Sequence, residues 1–275
     1  MLPAPAPLLY ESHAHTPLCK HAVGLPAEYV EVAEARGLRG IVFTCHCPLP
    51  DGISAAVRMA PEQFDDYVDL IARTREAFAG RMDVRLGLES DFYPGVEPWL
   101  EKLHARATLH HVLGSVHPQV SEYRARYFRG NWFDYQQTYF EHLAQAAETG
   151  LFDTLAHPDL VKNESPASWR FARIEPHVQG ALDRIAATGV AMELNTSGVN
   201  KALPEMNPGR RMLELMCERG IPVVIGADAH RPQQVAAGYA AGLQQLEEVG
   251  YREISFFLGR QQQALPIAAA RASVK

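Results

Sequence analysis

The sequence predicts an α/β fold of the TIM-like barrel type, on three observations. Eight short apolar, β-rich runs alternate with multi-turn helical segments along the chain, the rhythm of parallel βα units with right-handed crossovers. The helical segments are punctuated alike, with Pro26, Pro61, Pro208 and Pro232 at starts and Gly37, Gly80, Gly150, Gly189, Gly220 and Gly250 at stops. Six of the eight runs deliver a side chain that binds divalent metals at or near their C-terminal end. That is where the loops of a parallel barrel converge to build a site.

The runs, in order, are LLYESHAH (8–15), GIVFTCH (40–46), VRLGLES (84–90), HVLGSVH (111–117), FDTLAH (152–157), VAMELN (190–195), PVVIGADAH (222–230) and EISFF (253–257). Between them the spacing predicts helices over 26–36, 61–79, 97–106, 133–149, 174–188, 208–219 and 232–249. The second carries Phe64, Tyr67, Val68, Ile71 and Phe78 on one stripe. The fourth repeats the design with Phe133, Gln136, Tyr139, Phe140, Leu143 and Ala147, and Asn131 is placed to cap it. Two connections are long: 118–132, with three arginines and several aromatics, and 196–207. Both follow strands on the ligand-bearing face, where long loops serve as lids or binding loops. No G-x-G-x-x-G follows the first strand, so an open nucleotide-binding sheet has no support.

Composition narrows the function. With 47% hydrophobic and 21% charged residues the chain reads as an ordinary soluble protein. No linker divides it, so 1–275 reads as a single domain, with 1–7 and 267–275 expected to be flexible. A formal charge of −6 argues against nucleic acid or an anionic membrane as partner. No apolar stretch is long enough to cross a bilayer, and the N-terminus lacks a secretory pattern, so the cytoplasm is expected. Cys19, Cys45, Cys47 and Cys217 are too few for a disulfide scaffold. In a strand, Cys45 and Cys47 point away from His46, so the three do not serve one ion, and the cysteines read as buried small hydrophobes.

The chemistry lies in nine residues: His13, His15, His21, His46, Glu89, His117, His157, Asp228 and His230. His13 and His15 share a face at a strand end and can chelate one ion; Asp228 and His230 repeat the geometry. Glu89 carries most weight, because a carboxylate has two oxygens and can bridge two ions. One such histidine means little, but nine together point to a multinuclear metallohydrolase. A His-rich donor set suits Zn, Fe or Mn over Mg or Ca. The other histidines, His104, His110, His111, His142 and His177, read as structural.

The segments HAHTPLCKHA (13–22), TCHCP (44–48), GLESD (87–91), GSVH (114–117), GLFDTLAHPDLVK (150–162), ELNTSGVNK (193–201) and GADAHRP (226–232) resemble those of the PHP (polymerase and histidinol phosphatase) superfamily, in its histidinol-phosphatase branch. The resemblance runs from about residue 8 to 258. It implies a distorted TIM-like (β/α)7 barrel with the metal site at the C-terminal strand ends, and three divalent transition-metal ions. In that scheme His13, His15, Glu89 and Asp228 hold the first ion. Glu89 bridges to a second completed by His117 and His157, and His21, His46 and His230 hold the third. One departure is Ala227, where many relatives have Ser. The implied reaction is hydrolysis of the phosphomonoester L-histidinol phosphate to L-histidinol and phosphate, by a metal-bridged hydroxide, in histidine biosynthesis. Glu89, Asp228 and His230 are the expected catalytic residues, with a third ion, or protonated Asp228 or His230, assisting the leaving group. Lys162, Lys201 and Arg231 are expected to contact the substrate, and Arg124, Arg126 and Arg129 are weaker candidates. The alternative is a PHP-type phosphoesterase or exonuclease acting on another phosphate ester or a short oligonucleotide. The oligomeric state has no signature in the sequence.

Overall fold

The computed structural model describes residues 9–274, so the lead-in expected at 1–7 lies outside the described residues. The elements are β1 (Tyr10–Ala14), α1 (Pro26–Ala35), β2 (Gly40–Phe43), α2 (Phe64–Ala77), β3 (Asp83–Leu86), β4 (Leu88–Asp91), α3 (Glu97–His104), β5 (Val112–Ser115), α4 (Ser121–Tyr127), α5 (Trp132–Glu148) and β6 (Thr154–Leu155). They continue with α6 (Phe171–Thr188), β7 (Ala191–Asn195), α7 (Arg210–Glu218), β8 (Val223–Gly226), α8 (Tyr239–Val249), β9 (Glu253–Leu258), β10 (Gln261–Pro266) and α9 (Ile267–Ser273).

This is an α/β fold with parallel strands in two sheets. One holds β1-β2-β3, and the other runs β10-β9-β8-β7-β6-β5-β4. Every pairing is parallel except the β9–β10 hairpin. Gly87 alone separates β3 from β4, so one bent strand feeds both sheets. A Cβ there would stand 2.6 Å from the His111 carbonyl oxygen, which is why the bend needs glycine. Isolated bridges tie the sheets together at two places, His46 to Glu89 and Ala14 to Ala229. β1, β2, β4, β5, β7 and β8 are buried at every position; burial on both faces explains the apolar runs of β2 and β8, whereas β1 (YESHA) and β4 (LESD) bury mostly polar side chains.

The helices bury the stripes their spacing predicts. On α5, Tyr135, Tyr139, Phe140, Leu143 and Ala147 pack inward, and the Asn131 side chain caps the first turn by accepting from Phe133 N. Three expectations need correction. The helix expected over 232–249 begins only at Tyr239, because Ala236 and Gly238 take left-handed backbone (φ 54° and 77°) that stops the turn at Pro232 from continuing. The loop 118–132 contains α4. The tail expected to fray from 267 is α9, with Ile267 and Ala270 buried against the core and Arg271 paired with Glu247. Among the described residues, no helix is long and apolar enough to cross a membrane.

Candidate metal centre

All nine predicted residues converge at the C-terminal ends of the strands. β1 presents His13 and His15, the turn after β1 His21, and the end of β2 His46. β4 presents Glu89, β5 His117, β6 His157, and the segment after β8 Asp228 and His230. Glu89 sits in the middle and is fully buried. Its Oε1 faces His157 Nε2 at 3.0 Å and His117 Nε2 at 3.4 Å. Its Oε2 faces His46 Nδ1 at 2.7 Å, and His13 and His15 Nε2 at 3.6 Å each. The two oxygens therefore address two different groups of imidazoles, the requirement for a bridging carboxylate. Asp228 divides its oxygens too. Oδ1 lies 3.1 Å from His15 Nε2 and 3.6 Å from His13 Nε2, while Oδ2 faces Ser197 Oγ and, at 3.9 Å, Lys201 Nζ.

The ring orientations are set by groups the sequence reading did not single out. Glu193 Oε1 lies 2.7 Å from His13 Nδ1, and its Oε2 accepts from the His157 backbone N–H and from Asn195. Asp91 Oδ1 holds His117 Nδ1 at 2.8 Å, and backbone carbonyls of Cys19 and Asp228 face His21 Nδ1 and His230 Nδ1. With Nδ1 engaged, Nε2 is turned inward, the usual arrangement behind metal-bound imidazoles. Glu11, also buried, accepts from the backbone N–H of His13, Ala227 and Ala236 and from Tyr239 Oη. It thereby pins the end of β1 to the segment that carries Asp228 and His230. Gly226 has a packing reason: a Cβ would come within 2.2 Å of Glu193 Oε1 and 2.8 Å of His13 Cβ. His157 and Asp228 take positive φ (29° and 51°), local strain of the kind concentrated at functional sites.

Buried His13 Nε2, His15 Nε2, His230 Nε2 and Glu89 Oε2 make no well-aligned hydrogen bond among the described residues, although Glu89 Oε2 has His46 Nδ1 at 2.7 Å and His15 Nε2 has Asp228 Oδ1 at 3.1 Å. Buried polar atoms left bare are costly, and a cluster of them aimed at one another fits divalent cations. The groupings His13–His15–Asp228 and His21–His46–His230 each bring their ligand atoms within 4.8 Å of one another. Three groupings were not foreseen: His15–His46–Glu89, which joins residues expected on different ions, His46–Asp91–His117, and His15–Cys19–His230, which puts Cys19 beside the centre although it is buried like Cys45 and Cys47.

Without metal, the charges show how strongly the cluster favours cations. Burial opposes charge on His13, but Glu193, Asp228 and Glu89 outweigh it and hold the imidazole well above its usual range. His117 is likewise opposed by burial, yet Asp91 and Glu89 raise it to about 9. His46 goes the other way, pushed down to about 3 chiefly by burial. Burial would raise Glu89 and Asp228, but the surrounding imidazoles hold both carboxyls well below the usual range.

Beside the cluster opens a cavity of about 620 Å³, lined by His21, His46, Glu89, His117, His157, Asp228 and His230 and by Arg58, Lys201 and residues of α4. Lys201 is thus where the sequence expects it. Lys162 is not: its buried ammonium donates to Asp159 Oδ2, Glu205 Oε1 and the Met206 carbonyl, which uses all three protons inside the protein. Arg231 is exposed and does not line the cavity. Arg124 pairs with Glu164, Arg126 stacks over Tyr93, and Arg129 reaches the local carbonyls of Ala125 and Phe128. The remaining histidines have ordinary partners: Ser90 for His104, the Gly259 N–H for His110, Thr154 for His111, Tyr123 for His142 and Gln137 for His177.

The PHP domain profile matches residues 11–197, more than half of the chain. The chain belongs to the PHP domain family. The profile stops short of Lys201, Asp228 and His230, whereas the relatives that follow match 85–90% of the chain. A probable histidinol-phosphatase of Deinococcus radiodurans is 39% identical, with 90% of this chain and 96% of the relative covered. The histidinol-phosphatase of Bacillus subtilis is 24% identical, covering 85% and 98%. In fold, the chain resembles a histidinol phosphate phosphatase from Lactococcus lactis whose crystal structure holds zinc, L-histidinol and phosphate. That likeness has a TM-score of 0.73 at 19% identity, over 93% of this chain and 98% of the other.

Proposed function

We propose that this PHP protein is a metal-dependent phosphatase that hydrolyses L-histidinol phosphate to L-histidinol and inorganic phosphate. The observation that carries the reading is Glu89, buried among five imidazoles with its two oxygens turned to different groups of them. The substrate follows from the histidinol-phosphatases to which the chain is similar along nearly its whole length. The bridges between the two sheets support the finer reading of the fold as a distorted (β/α)7 barrel, with β3 and β4 counted as one strand, β1 to β8 thus supplying seven and the β9–β10 hairpin left out of the count, and support the described residues as a single domain.

We assign His13, His15, Glu89 and Asp228 to one divalent ion, Glu89, His117 and His157 to a second, and His21, His46 and His230 to a third; zinc, iron and manganese all suit these donors. Such ions, when bound, neutralise phosphoryl charge and make water a competent nucleophile at neutral pH. The chain's own residues do the rest. Glu193 and Asp91 orient His13 and His117, and Glu11 holds the Asp228 segment against β1. Lys201 stands on the cavity wall beside Asp228 Oδ2 and is assigned to the phosphate or the developing charge on the leaving oxygen. A protonated Asp228 as proton donor is disfavoured, because its neighbours keep it ionised. The cytoplasm and a partnership with small molecules rather than nucleic acid belong to the same reading.

The test is a turnover panel on metal-replete protein with histidinol phosphate, generic phosphomonoesters and short oligonucleotides. Preference for histidinol phosphate by kcat/KM is expected. Faster cleavage of the oligonucleotides would replace this reading with a PHP nuclease.

A further inference from the structure

Arg58 is a buried cation at the cavity to which the roles assigned above give no task. It follows the 3₁₀ turn Ala55–Val57 in a stretch without regular structure, so no strand-end pattern marks it in the sequence. It is 1% exposed, yet it lines the same cavity as His46, Glu89, His117 and Lys201. Its Nη2 donates to Asp91 Oδ2, and the other oxygen of that carboxylate holds His117 Nδ1. Its buried Nε and Nη1 have no hydrogen-bond partner among the described residues.

A guanidinium does not shed its proton at any ordinary pH, so it cannot relieve burial by becoming neutral as a lysine does. Donors left bare in the interior are expensive unless a ligand or water meets them. Lys162 makes the contrast: equally buried, it has every donor satisfied by protein oxygens, and it lies off the cavity. Arg58 has one carboxylate partner and spare donors beside a cluster built for phosphate chemistry. We infer that Arg58 binds a non-bridging oxygen of the phosphoryl group, in the substrate and in the inorganic phosphate product, with Asp91 positioning the guanidinium and His117 together. The inference rests on the phosphatase reading above.

Calorimetric titration of inorganic phosphate into metal-replete protein tests it, comparing wild type, Arg58→Lys and Arg58→Met, with metal content and Tm measured on each. Arg58→Met should weaken phosphate by about 10-fold or more, as expected for losing hydrogen bonds to a charged group. Arg58→Lys should fall between, because it keeps the charge and loses the planar fork. Metal content should stay at the wild-type value. Added guanidinium ion should restore part of the lost phosphate affinity in Arg58→Met. Phosphate affinity in both variants equal to wild type overturns the inference, as does a loss that tracks falling metal content or Tm. Failure of the wild type itself to bind phosphate or turn over phosphomonoesters refutes the phosphatase reading instead.

Discussion

Replacing Glu89 by Gln keeps the shape of the side chain and removes one negative charge from the centre of the cluster. The amide oxygen can still accept from Ser115 Oγ, which now donates to Glu89 Oε1 at 2.6 Å, so local packing should survive. What is lost is electrostatic. Unit charges about 4 Å apart interact by roughly 4 kcal/mol at an effective dielectric of 20, which corresponds to about 10³ in an equilibrium or a rate. The carboxylate oxygens stand 2.7–3.6 Å from five imidazoles, and the cations those imidazoles would hold carry two charges each, so 10³ is a lower bound. We expect kcat for histidinol phosphate to fall by at least about 10³ and about three metal ions per chain to drop by one or more, read by steady-state kinetics and elemental analysis. His177, exposed on α6, serves as the control and should lose almost nothing as His177→Gln. A Glu89→Gln enzyme within 10-fold of wild type and full in metal would refute the bridging assignment.

Glu193→Gln should weaken metal binding by about 10- to 100-fold in competition with a chelator, because the carboxylate sets the His13 ring; an unchanged affinity removes that role. Lys201→Met should lower kcat/KM by about 10- to 10³-fold with metal retained. Lys162→Met should instead destabilise the fold by about 3–5 kcal/mol, since it strands the buried Asp159 carboxylate, and leave kcat/KM of the folded fraction near wild type; the reverse pattern would exchange their roles. The chelated protein should lose Tm as pH rises through about 9. His117 is raised from its ordinary 6.5 to that value, so its protonated contribution is complete below about 6.5 and disappears above 9, and His13 acts in the same direction. Metal affinity should rise over the same interval, because binding displaces those protons. A flat Tm profile from pH 7 to 10 would show that the carboxylates do not clamp charged imidazoles.

The sequence by itself determined which residues meet. Parallel βα units force every strand to end on one face, so ligand-type side chains at strand ends converge whatever the details of packing, and all nine did. Helix stripes and glycine stops are equally local, and they located α1, α2, α5 and α6 closely. Only the tertiary structure decided what surrounds that cluster. Glu193, Asp91 and Glu11 are ordinary strand carboxylates in the chain, and their partners lie 180 residues away for Glu193 and His13 and 216 for Glu11 and Ala227. Lys162 and Lys201 look alike as loop lysines, but folding sends one ammonium into a ring of protein oxygens and leaves the other on the cavity wall. Arg58 carries no periodic signal at all, and it becomes notable only once the fold buries a permanent charge and leaves two of its nitrogens without a hydrogen-bond partner among the described residues. The physical reason is one of range. Backbone geometry and hydrophobic period are written in neighbouring residues, whereas a buried charge is defined by partners that only the finished fold brings within hydrogen-bond distance.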